Sequence, residues 1–496
     1  MAVMTLPSRL LFLSYAKTDP SGTALRPLDL LNALQTRLFP GLPEPPEPDT
    51  LPMSAAQAFS EASGVLRTYA DGETQTLPER WRQRLARLLA SPATAEATAR
   101  LLRAADYRVA GVPLTPDMAR KLFHDRTLSV SRLETFAGCP YRHFVEYGLR
   151  PSVIKEWGIE PVDLGDIFHR GLQNFAALAE QCGGYPNVTE AQAEAMADEA
   201  LEPMMQELLQ GPMGDSPRGR AGFDRARRIL RRACTTVTQH LSAGDFHLYR
   251  AEAVFGEPGP DSLPPVTLRL SDGTEVSLRG KIDRVDRLDT GDTTYLRVVD
   301  YKSSAQTLEP ARTWWGLQLQ LTLYLDAAVR GLGGAVPAGA FYFHVADPLA
   351  KLQLDDPTLA ESDIRRQLQM KGVVLADEEV LSAMDRGEGA QVLGAALTKD
   401  GGIRKTAMAL DRAQMDALLA HSRAQAAELA EALFSGDTAI LPVQTATLDN
   451  CAYCACGGVC GFEAEARGAE ARELPELKLE EWREKLSETE NQQGQR

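Results

Sequence analysis

Long apolar runs are missing from this 496-residue sequence, and none approaches the roughly 20 residues that a helix needs to span a bilayer. The first residues also lack the basic start and apolar stretch of a secretory signal. We therefore expect a cytoplasmic protein with no membrane contact. Cysteines in that compartment rarely form disulfides, and clustered ones more often bind a metal or carry out redox chemistry.

The chain also lacks a positive net charge, because 68 Asp and Glu residues outnumber 53 Lys and Arg residues and give a formal net charge of −15. This balance argues against a surface coated for nucleic-acid binding. The exception is residues 217–232, "PRGRAGFDRARRILRR", with seven arginines against one aspartate. Such a strip suits a polyanion, and it is equally typical of a solvated helix face. A Gly-x4-Gly-Lys-Ser/Thr phosphate loop is absent, so we expect no ATP hydrolysis by this chain.

Hydrophobic periodicity and turn residues predict three regions. In residues 1–120, "RLLFLSYA" predicts a strand and "PLDLLNALQTRLF" an amphipathic helix. Residues 121–465 begin with helical patterns, and residues 250–302 then alternate as strands, with turn signals at "SDGT" and "DTGDT". Residues 466–496 form an acidic tail. Strands flanked by helices indicate a mixed α/β core.

The start of the second region carries a helix-capping signal in "TLSVSRLETF". Ser129 or Ser131 can cap a helix, and Glu134 follows Ser131 by three residues. That spacing predicts a capping box, in which a serine and a glutamate each bond the other's backbone N–H.

Four cysteines lie within ten residues, in the order Cys451-x2-Cys454-x5-Cys460 with Cys456 between the last two. Sulfur ligation fits zinc or an iron–sulfur cluster. The last histidine, His421, lies 30 residues upstream of Cys451, so no histidine pair completes a zinc site. A fourth sulfur comes either from Cys456 or from a distant cysteine.

Cys139, in a Cys-Pro-Tyr turn, is a good candidate for that distant ligand, because the proline after it restricts the backbone. A buried free thiol is the alternative for Cys139. Cys182 and Cys234 fit the free-thiol interpretation better, since both fall in helical stretches.

Two strand ends carry acidic residues. In "RVVDYKSS", Asp300 and Lys302 are two residues apart and so share one face of a strand. In "LRGKIDRVD", Asp283 ends a neighbouring strand. Paired carboxylates suit Mg²⁺ or Mn²⁺, with Lys302 orienting a water or stabilising developing charge. A plain surface ion pair between Asp300 and Lys302 is the alternative.

Two helices add weaker candidates. His169 lies beside the apolar stripe of "DLGDIFHRGLQNFAALAE", where a lone histidine is often structural. Gln320 and Tyr324 are four residues apart and share a helix face, as on any helix flank.

Taken in order, these motifs resemble the PD-(D/E)XK nuclease superfamily, in its RecB-type branch. The similarity is greatest to the AddB-type nuclease domain of AddAB ATP-dependent helicase–nucleases. The resemblance implies one [4Fe–4S] cluster held by Cys139, Cys451, Cys454 and Cys460, with Cys456 spare. It also implies Mg²⁺ or Mn²⁺ ligands at His169, Asp283 and Asp300, a catalytic Lys302, and Gln320 and Tyr324 near the DNA or the site.

The resemblance further implies a function. We expect a Mg²⁺-dependent single-strand DNA exonuclease, 5′→3′ by family analogy, acting in double-strand-break repair with an AddA-like helicase–nuclease partner. Residues 1–120 would then be the remnant of a helicase-like domain, and residues 121–465 a nuclease domain closed by the cluster. The alternatives are a freestanding Cas4-like iron–sulfur nuclease and a non-catalytic DNA-binding scaffold.

Overall fold

A computed structural model gives the fold of this chain. It describes residues 8–9, 23, 25–26, 33–38, 54–151, 161–209, 216–349, 357–386, 392–393, 403–405, 407–445, 447–464 and 468–493. The chain divides into two compact units, Met1–Tyr107 and Arg108–Arg496. No helix in the described part of the chain is long and apolar enough to cross a membrane.

The first unit contains three α-helices among its described residues. Helices α1 (Ala55–Ala70), α2 (Glu79–Ala90) and α3 (Ala95–Ala105) pack around a small core that includes Trp81 and Leu85. Ser54 and Gln57 form a capping box at the start of α1. The strand predicted at "RLLFLSYA" and most of the following predicted helix lie outside the described residues, apart from a π-helical turn at Leu34–Leu38.

The second unit contains the other helices and strands of the described residues. Its helices are α4 (Pro116–Leu122), α5 (Val130–Gly138), α6 (Pro140–His143), α7 (Pro161–Gln181), α8 (Glu190–Leu209), α9 (Pro217–Ser242), α10 (Pro310–Trp314), α11 (Gln320–Leu332), α12 (Pro357–Gln367), α13 (Glu378–Met384), α14 (Arg412–Ser435), α15 (Gly457–Cys460) and α16 (Leu479–Gln493). Its strands are β1 (Thr127–Ser129), β2 (His247–Phe255), β3 (Val266–Arg269), β4 (Glu275–Thr290), β5 (Thr293–Lys302), β6 (Val336–His344), β7 (Lys371–Leu375) and β8 (Ala409–Leu410). A π-helical turn, Phe144–Leu149, follows α6, and a 3₁₀ turn, Tyr185–Asn187, follows α7.

These strands form one mixed sheet in the order β1-β4-β5-β6-β7-β8, with β2 and β3 also paired to β4. The long strand β4 pairs with β1 and β3 through its first half and with β2 and β5 through its second half. Strands β5 and β6 are parallel, as are β7 and β8. The mixed α/β core predicted from the sequence is confirmed.

Both predicted hairpin turns are confirmed. The "SDGT" turn joins β3 to β4, and Gly273 there has a φ of 82°, a conformation that a residue with a side chain adopts only with strain. The "DTGDT" turn joins β4 to β5, whose register runs from Thr290 opposite Thr293 to Arg284 opposite Val299. This register brings the middle of β4, which carries Asp283, beside the end of β5 that carries Asp300.

Successive side chains at the end of β5 have different surroundings. Tyr301 is buried and contacts Phe343 edge to face, 6.0 Å between ring centroids. Its neighbour Lys302 instead donates a hydrogen bond to Gln320 at the start of α11.

Near the C-terminus, α16 buries Trp482 and Leu486 in the main core.

The capping-box prediction at Ser131 and Glu134 is wrong. Ser129 caps α5, since its hydroxyl accepts from the backbone N–H of Arg132 at 3.3 Å. Glu134 turns away from its own helix and accepts two backbone N–H groups at the start of α11. The first N–H groups of a helix have no partner within that helix, so the Glu134 carboxylate binds them instead of the N–H at the start of α5.

Candidate active site

Neighbouring strands position the predicted acidic pair. The expectation that Asp283 ends its strand is wrong, because β4 continues past it to Thr290. Asp283 lies on β4, and its Oδ2 accepts the backbone N–H of Tyr301 on β5 at 2.6 Å. Tyr301 lies between Asp300 and Lys302, so this bond fixes the Asp283 carboxylate beside them. Asp283 and Asp300 are both buried. The two carboxylates are therefore neighbours, with Asp300 near the end of β5 and Asp283 in the middle of β4.

Helix α7 brings His169 to the same place. Its Nδ1 lies 3.1 Å from Asp283 Oδ1 and 4.0 Å from Glu252 Oε1. Among the described residues, His169, Glu252 and Asp283 each offer a ligand atom, and these atoms all lie within 4.8 Å of one another. A nitrogen and two carboxylate oxygens at this spacing can hold one metal ion.

Glu252, on β2, is the site residue that the sequence analysis missed. Its side chain is 5% exposed, and its Oε1 is buried without a hydrogen-bond partner. Its backbone has a φ of 52°, which for a non-glycine residue costs about 1–3 kcal/mol and tends to occur at functional sites. The available signal was an acidic residue inside the otherwise apolar pattern "AEAVF".

Lys302 is held from two sides. Its Nζ lies 2.6 Å from Asp300 Oδ2 and donates to Gln320 Oε1 at 2.9 Å. Gln320 Nε2 in turn donates to the Tyr324 hydroxyl at 3.2 Å. Gln320 and Tyr324, grouped on one helix face from their spacing, are thus hydrogen-bonded to each other, and Gln320 contacts the lysine.

Gly280 on β4 makes room for this arrangement. A Cβ at that position would come within 2.7 Å of the Phe255 ring and 3.1 Å of the Tyr324 ring. A larger residue would force the Phe255 ring to shift and would crowd the Tyr324 ring. The glycine of the "GKID" stretch is therefore required by packing.

Negative charge accumulates in this small volume. Burial, followed by repulsion from Asp283, raises the pKa of Asp300 to about 7. Burial also raises the pKa of Glu252, against the opposing effect of Lys281. For His169, burial lowers the pKa, but the hydrogen bond to Asp283 and the nearby carboxylates outweigh it, so the net shift is upward.

These residues fit a divalent cation. The carboxylates are buried, repel one another and include an oxygen with no hydrogen-bond donor, and a cation would relieve each of these costs. Carboxylate oxygens with one imidazole suit Mg²⁺ or Mn²⁺. His169, Glu252 and Asp283 would hold the ion, with Asp300 beside Asp283.

The segment around Cys139 contacts the segment of the C-terminal cysteines. The carbonyl of Gly138 accepts from Val443 N at 2.9 Å and from Asn450 Nδ2 at 3.3 Å. These bonds connect residues more than 300 positions apart and place the neighbours of Cys139 and Cys451 together.

The thiols affect one another electrostatically. Burial, then Asp449, then the thiols of Cys139, Cys454 and Cys460 raise the pKa of Cys451 to about 11. Among the described residues, however, the sulfurs do not form a group of three within 4.8 Å. The spacing is therefore not that of ligands already gathered on a single ion.

The remaining cysteines differ from one another. Cys234 is fully buried in α9, as expected for a free thiol, and burial raises its pKa well above the usual value. Cys182 is exposed just beyond α7, so the expectation of a buried thiol is wrong there. The reason is that α7 ends at Gln181, one residue earlier. Cys456 is buried beside Cys454.

The arginine-rich strip forms the first part of α9. Arg231 donates to Asp198 at 2.8 Å, and Arg227 lies 3.7 Å from the same carboxylate. Arg228 and Arg232 both lie 3.9 Å from Asp347. Carboxylates of this chain thus offset part of the positive charge of the strip. This favours a solvated helix face over a surface that binds the phosphates of a polyanion.

Comparison with known proteins decides the family. A sequence profile of the PD-(D/E)XK nuclease superfamily matches residues 127–461, which include every proposed site residue. This chain belongs to the PD-(D/E)XK nuclease superfamily.

Curated relatives of this PD-(D/E)XK superfamily member are AddB-type subunits of ATP-dependent helicase/deoxyribonucleases. That of Alkaliphilus oremlandii is 35% identical over 377 residues, covering 74% of this chain and 33% of the relative. That of Moorella thermoacetica is 34% identical over 494 residues, covering 97% and 42%. That of Symbiobacterium thermophilum is 33% identical, covering 96% and 42%. The chain thus spans less than half the length of these relatives.

Proposed function

We propose that this chain is a divalent-metal-dependent deoxyribonuclease that digests single-stranded DNA. The observation that carries the proposal is the convergence of His169, Glu252 and Asp283 within 4.8 Å, beside the Asp300–Lys302 pair. A buried acidic cluster next to a positioned lysine is costly unless it serves a cation and an anionic substrate. The superfamily and the names of the relatives support DNA as that substrate.

The chemistry follows from the roles that these side chains can fill. A bound divalent ion supplies a low-pKa water and polarises the phosphate. Asp283 and Glu252 provide oxygen ligands, and the Tyr301 N–H fixes the orientation of Asp283. Lys302, held by Asp300 and Gln320, is positioned to orient the attacking water or to stabilise the charge that develops on the phosphate.

Digestion of end-labelled single-stranded DNA tests this function. The wild-type chain should release labelled products with Mg²⁺ and none with chelator. Asp300→Ala should lose at least about 100-fold in rate, because it removes a charge beside the ion and the partner of Lys302. Asp292→Ala, in the exposed turn after β4, is the matched control and should keep full activity.

Each alternative result has a meaning. Equal digestion by wild type and Asp300→Ala would place the active site elsewhere. Binding of DNA without any digestion by wild type would favour the scaffold function instead. Labels at the 5′ and 3′ ends report the polarity, and we propose 5′→3′.

We also propose that Cys139, Cys451, Cys454 and Cys460 hold a [4Fe–4S] cluster. The support is the contact between Gly138 and Asn450 and the mutual effect of the thiols on their pKa values. Sulfurs on a cubane cluster ligate four different iron atoms and lie further apart than ligands of a single ion. The absence of a tight sulfur group among the described residues is compatible with such a cluster.

Protein purified without oxygen tests the cluster. Iron and sulfide in equal amounts, with a broad visible absorbance band, are expected. Zinc in place of iron, with no visible band, would refute the cluster and leave a zinc site.

The relatives are named as subunits of a larger enzyme, so we propose an AddA-like helicase–nuclease partner for this chain, acting in double-strand-break repair. Residues 1–120 are proposed to be part of a helicase-like domain, since the match to the Moorella relative covers 97% of this chain. Co-purification with such a partner tests the association, and failure to associate at micromolar concentration contradicts it.

A further inference from the structure

A half-buried carboxylate outside the proposed metal site connects two distant parts of the molecule. Glu134 lies on α5, the helix that ends at Gly138, directly before Cys139. Its Oε1 accepts the backbone N–H of Leu319 at 2.6 Å and that of Gln320 at 2.8 Å. The two groups belong to the start of α11, 185 and 186 residues later in the chain.

The same turn of α11 carries the hydrogen bond that holds the lysine. Gln320 receives Lys302 Nζ on its side-chain oxygen at 2.9 Å, while its backbone N–H is bound to Glu134. One residue therefore joins Glu134 to Lys302 through two consecutive hydrogen bonds. Burial raises the pKa of Glu134 to about 6. The positive charge of Lys302 attracts the Glu134 carboxylate and opposes this rise.

The C-terminal end of α5 is held by a separate set of hydrogen bonds. Gly138 is bound by Val443 and Asn450 from the segment that carries the C-terminal cysteines. The main-chain carbonyl of Ala137 also accepts a hydrogen bond from Arg472. These hydrogen bonds fix the C-terminal end of α5, and Glu134, one turn earlier on the same helix, binds the start of α11.

We propose that Glu134 is a positioning residue for the nuclease reaction, which fixes the first turn of α11 and, through Gln320, the place of Lys302. The inference rests on the proposed function, since it assigns Lys302 a part in the reaction. The hydrogen bonds of Glu134 go to the start of α11, so its main route to that reaction is through Gln320. Its effect is expected on the rate of the chemical step, because a lysine displaced by about 1 Å costs up to about 100-fold in rate.

Kinetics of three variants test the assignment. Glu134→Ala should lower kcat by about 10- to 100-fold and leave KM for single-stranded DNA unchanged within about twofold. Glu134→Gln keeps an acceptor oxygen and should stay within about fivefold of wild type. Thr135→Ala, a neighbour on α5 whose hydroxyl bonds the carbonyl of Ser131, should match wild type.

Combination with Gln320→Ala separates positioning from general damage. If Glu134 acts through Gln320, the double variant should be no slower than the less active of the two single variants, within about twofold. Losses that multiply would overturn the proposal, and so would a KM increase with unchanged kcat. An iron content equal to wild type in Glu134→Ala shows that the cysteine region is intact.

A readout independent of activity distinguishes this inference from the proposed function. Acylation of Lys302 by an amine-reactive reagent, measured by peptide mass spectrometry, should be several-fold faster in Glu134→Ala. The reason is that Gln320, one of the two acceptors that hold the lysine, is then no longer fixed. Lys281, which pairs with Glu252 on another strand, is the internal reference and should be unchanged. If wild type cleaves no DNA but Lys302 labelling responds, only the nuclease function fails. Unchanged labelling of Lys302 overturns the positioning role.

Discussion

Behind the candidate site, one carboxylate serves two fully buried arginines. Asp286 on β4 is 0% exposed, and its Oδ2 accepts from Arg297 Nε at 2.8 Å across the sheet. Its Oδ1 lies 3.1 Å from Arg284 Nε, and the side chains of Arg297 and Arg284 are 0% and 1% exposed. The cluster therefore already holds one more positive charge than negative, and burial lowers the pKa of Arg297 despite Asp286.

Replacing Asp286 with asparagine keeps the volume but removes the charge. Removing one partner of a buried pair typically destabilises by about 3–5 kcal/mol, because it leaves an uncompensated buried charge. Here two cations lose their common partner, so we expect the upper part of that range. Asp289→Asn is the matched control, because its partner Arg287 is partly exposed, and exposed pairs are worth about 0–1 kcal/mol.

Urea unfolding followed by circular dichroism measures both variants at the same ionic strength. Adding Arg297→Met to Asp286→Asn should recover part of the loss, since it removes one unpaired buried cation. A loss for Asp286→Asn within about 1 kcal/mol of the control would refute the reasoning. It would mean that water or relaxation compensates the two arginines.

Three further predictions concern the bound groups. Glu252→Gln should weaken Mn²⁺ binding, measured by calorimetry, at least about tenfold. Glu257→Gln is the control and should leave Mn²⁺ binding unchanged, because Glu257 forms an exposed ion pair with Arg279 outside the site. Cys451→Ser should lose iron and lower the melting temperature, with Cys182→Ser as the unaffected control, and full iron in Cys451→Ser would contradict the cluster. Mn²⁺ affinity should rise with pH through neutrality, because the ion competes with the protons that the raised pKa values place on Asp300 and His169. A flat affinity across neutrality would contradict that last prediction.

Local patterns allowed the strands, their turns and part of the site to be predicted. Alternation in residues 250–302, with turn residues at "SDGT" and "DTGDT", indicated the hairpins, because side-chain period and turn chemistry are properties of short segments. The same period put Asp300 and Lys302 on one face, as the 2.6 Å contact shows. Grouping of Asp283 with His169 followed from the family resemblance, since their strand and helix are far apart in the chain.

Other contacts depend on tertiary structure, which no local pattern encodes. Glu134 matched a capping box by spacing, but the N–H groups at the start of α11 became its partners only when the two helices met. Glu252 reaches the site because β2 pairs with β4 and its backbone adopts a positive φ. The arginines of α9 pair with Asp198 and Asp347, which lie on other segments. The sequence by itself therefore determined which segments would be strands and helices and which residue types could do chemistry. Folding decided which of those residues meet, because hydrogen bonds and charges act over a few ångströms between segments far apart in the chain.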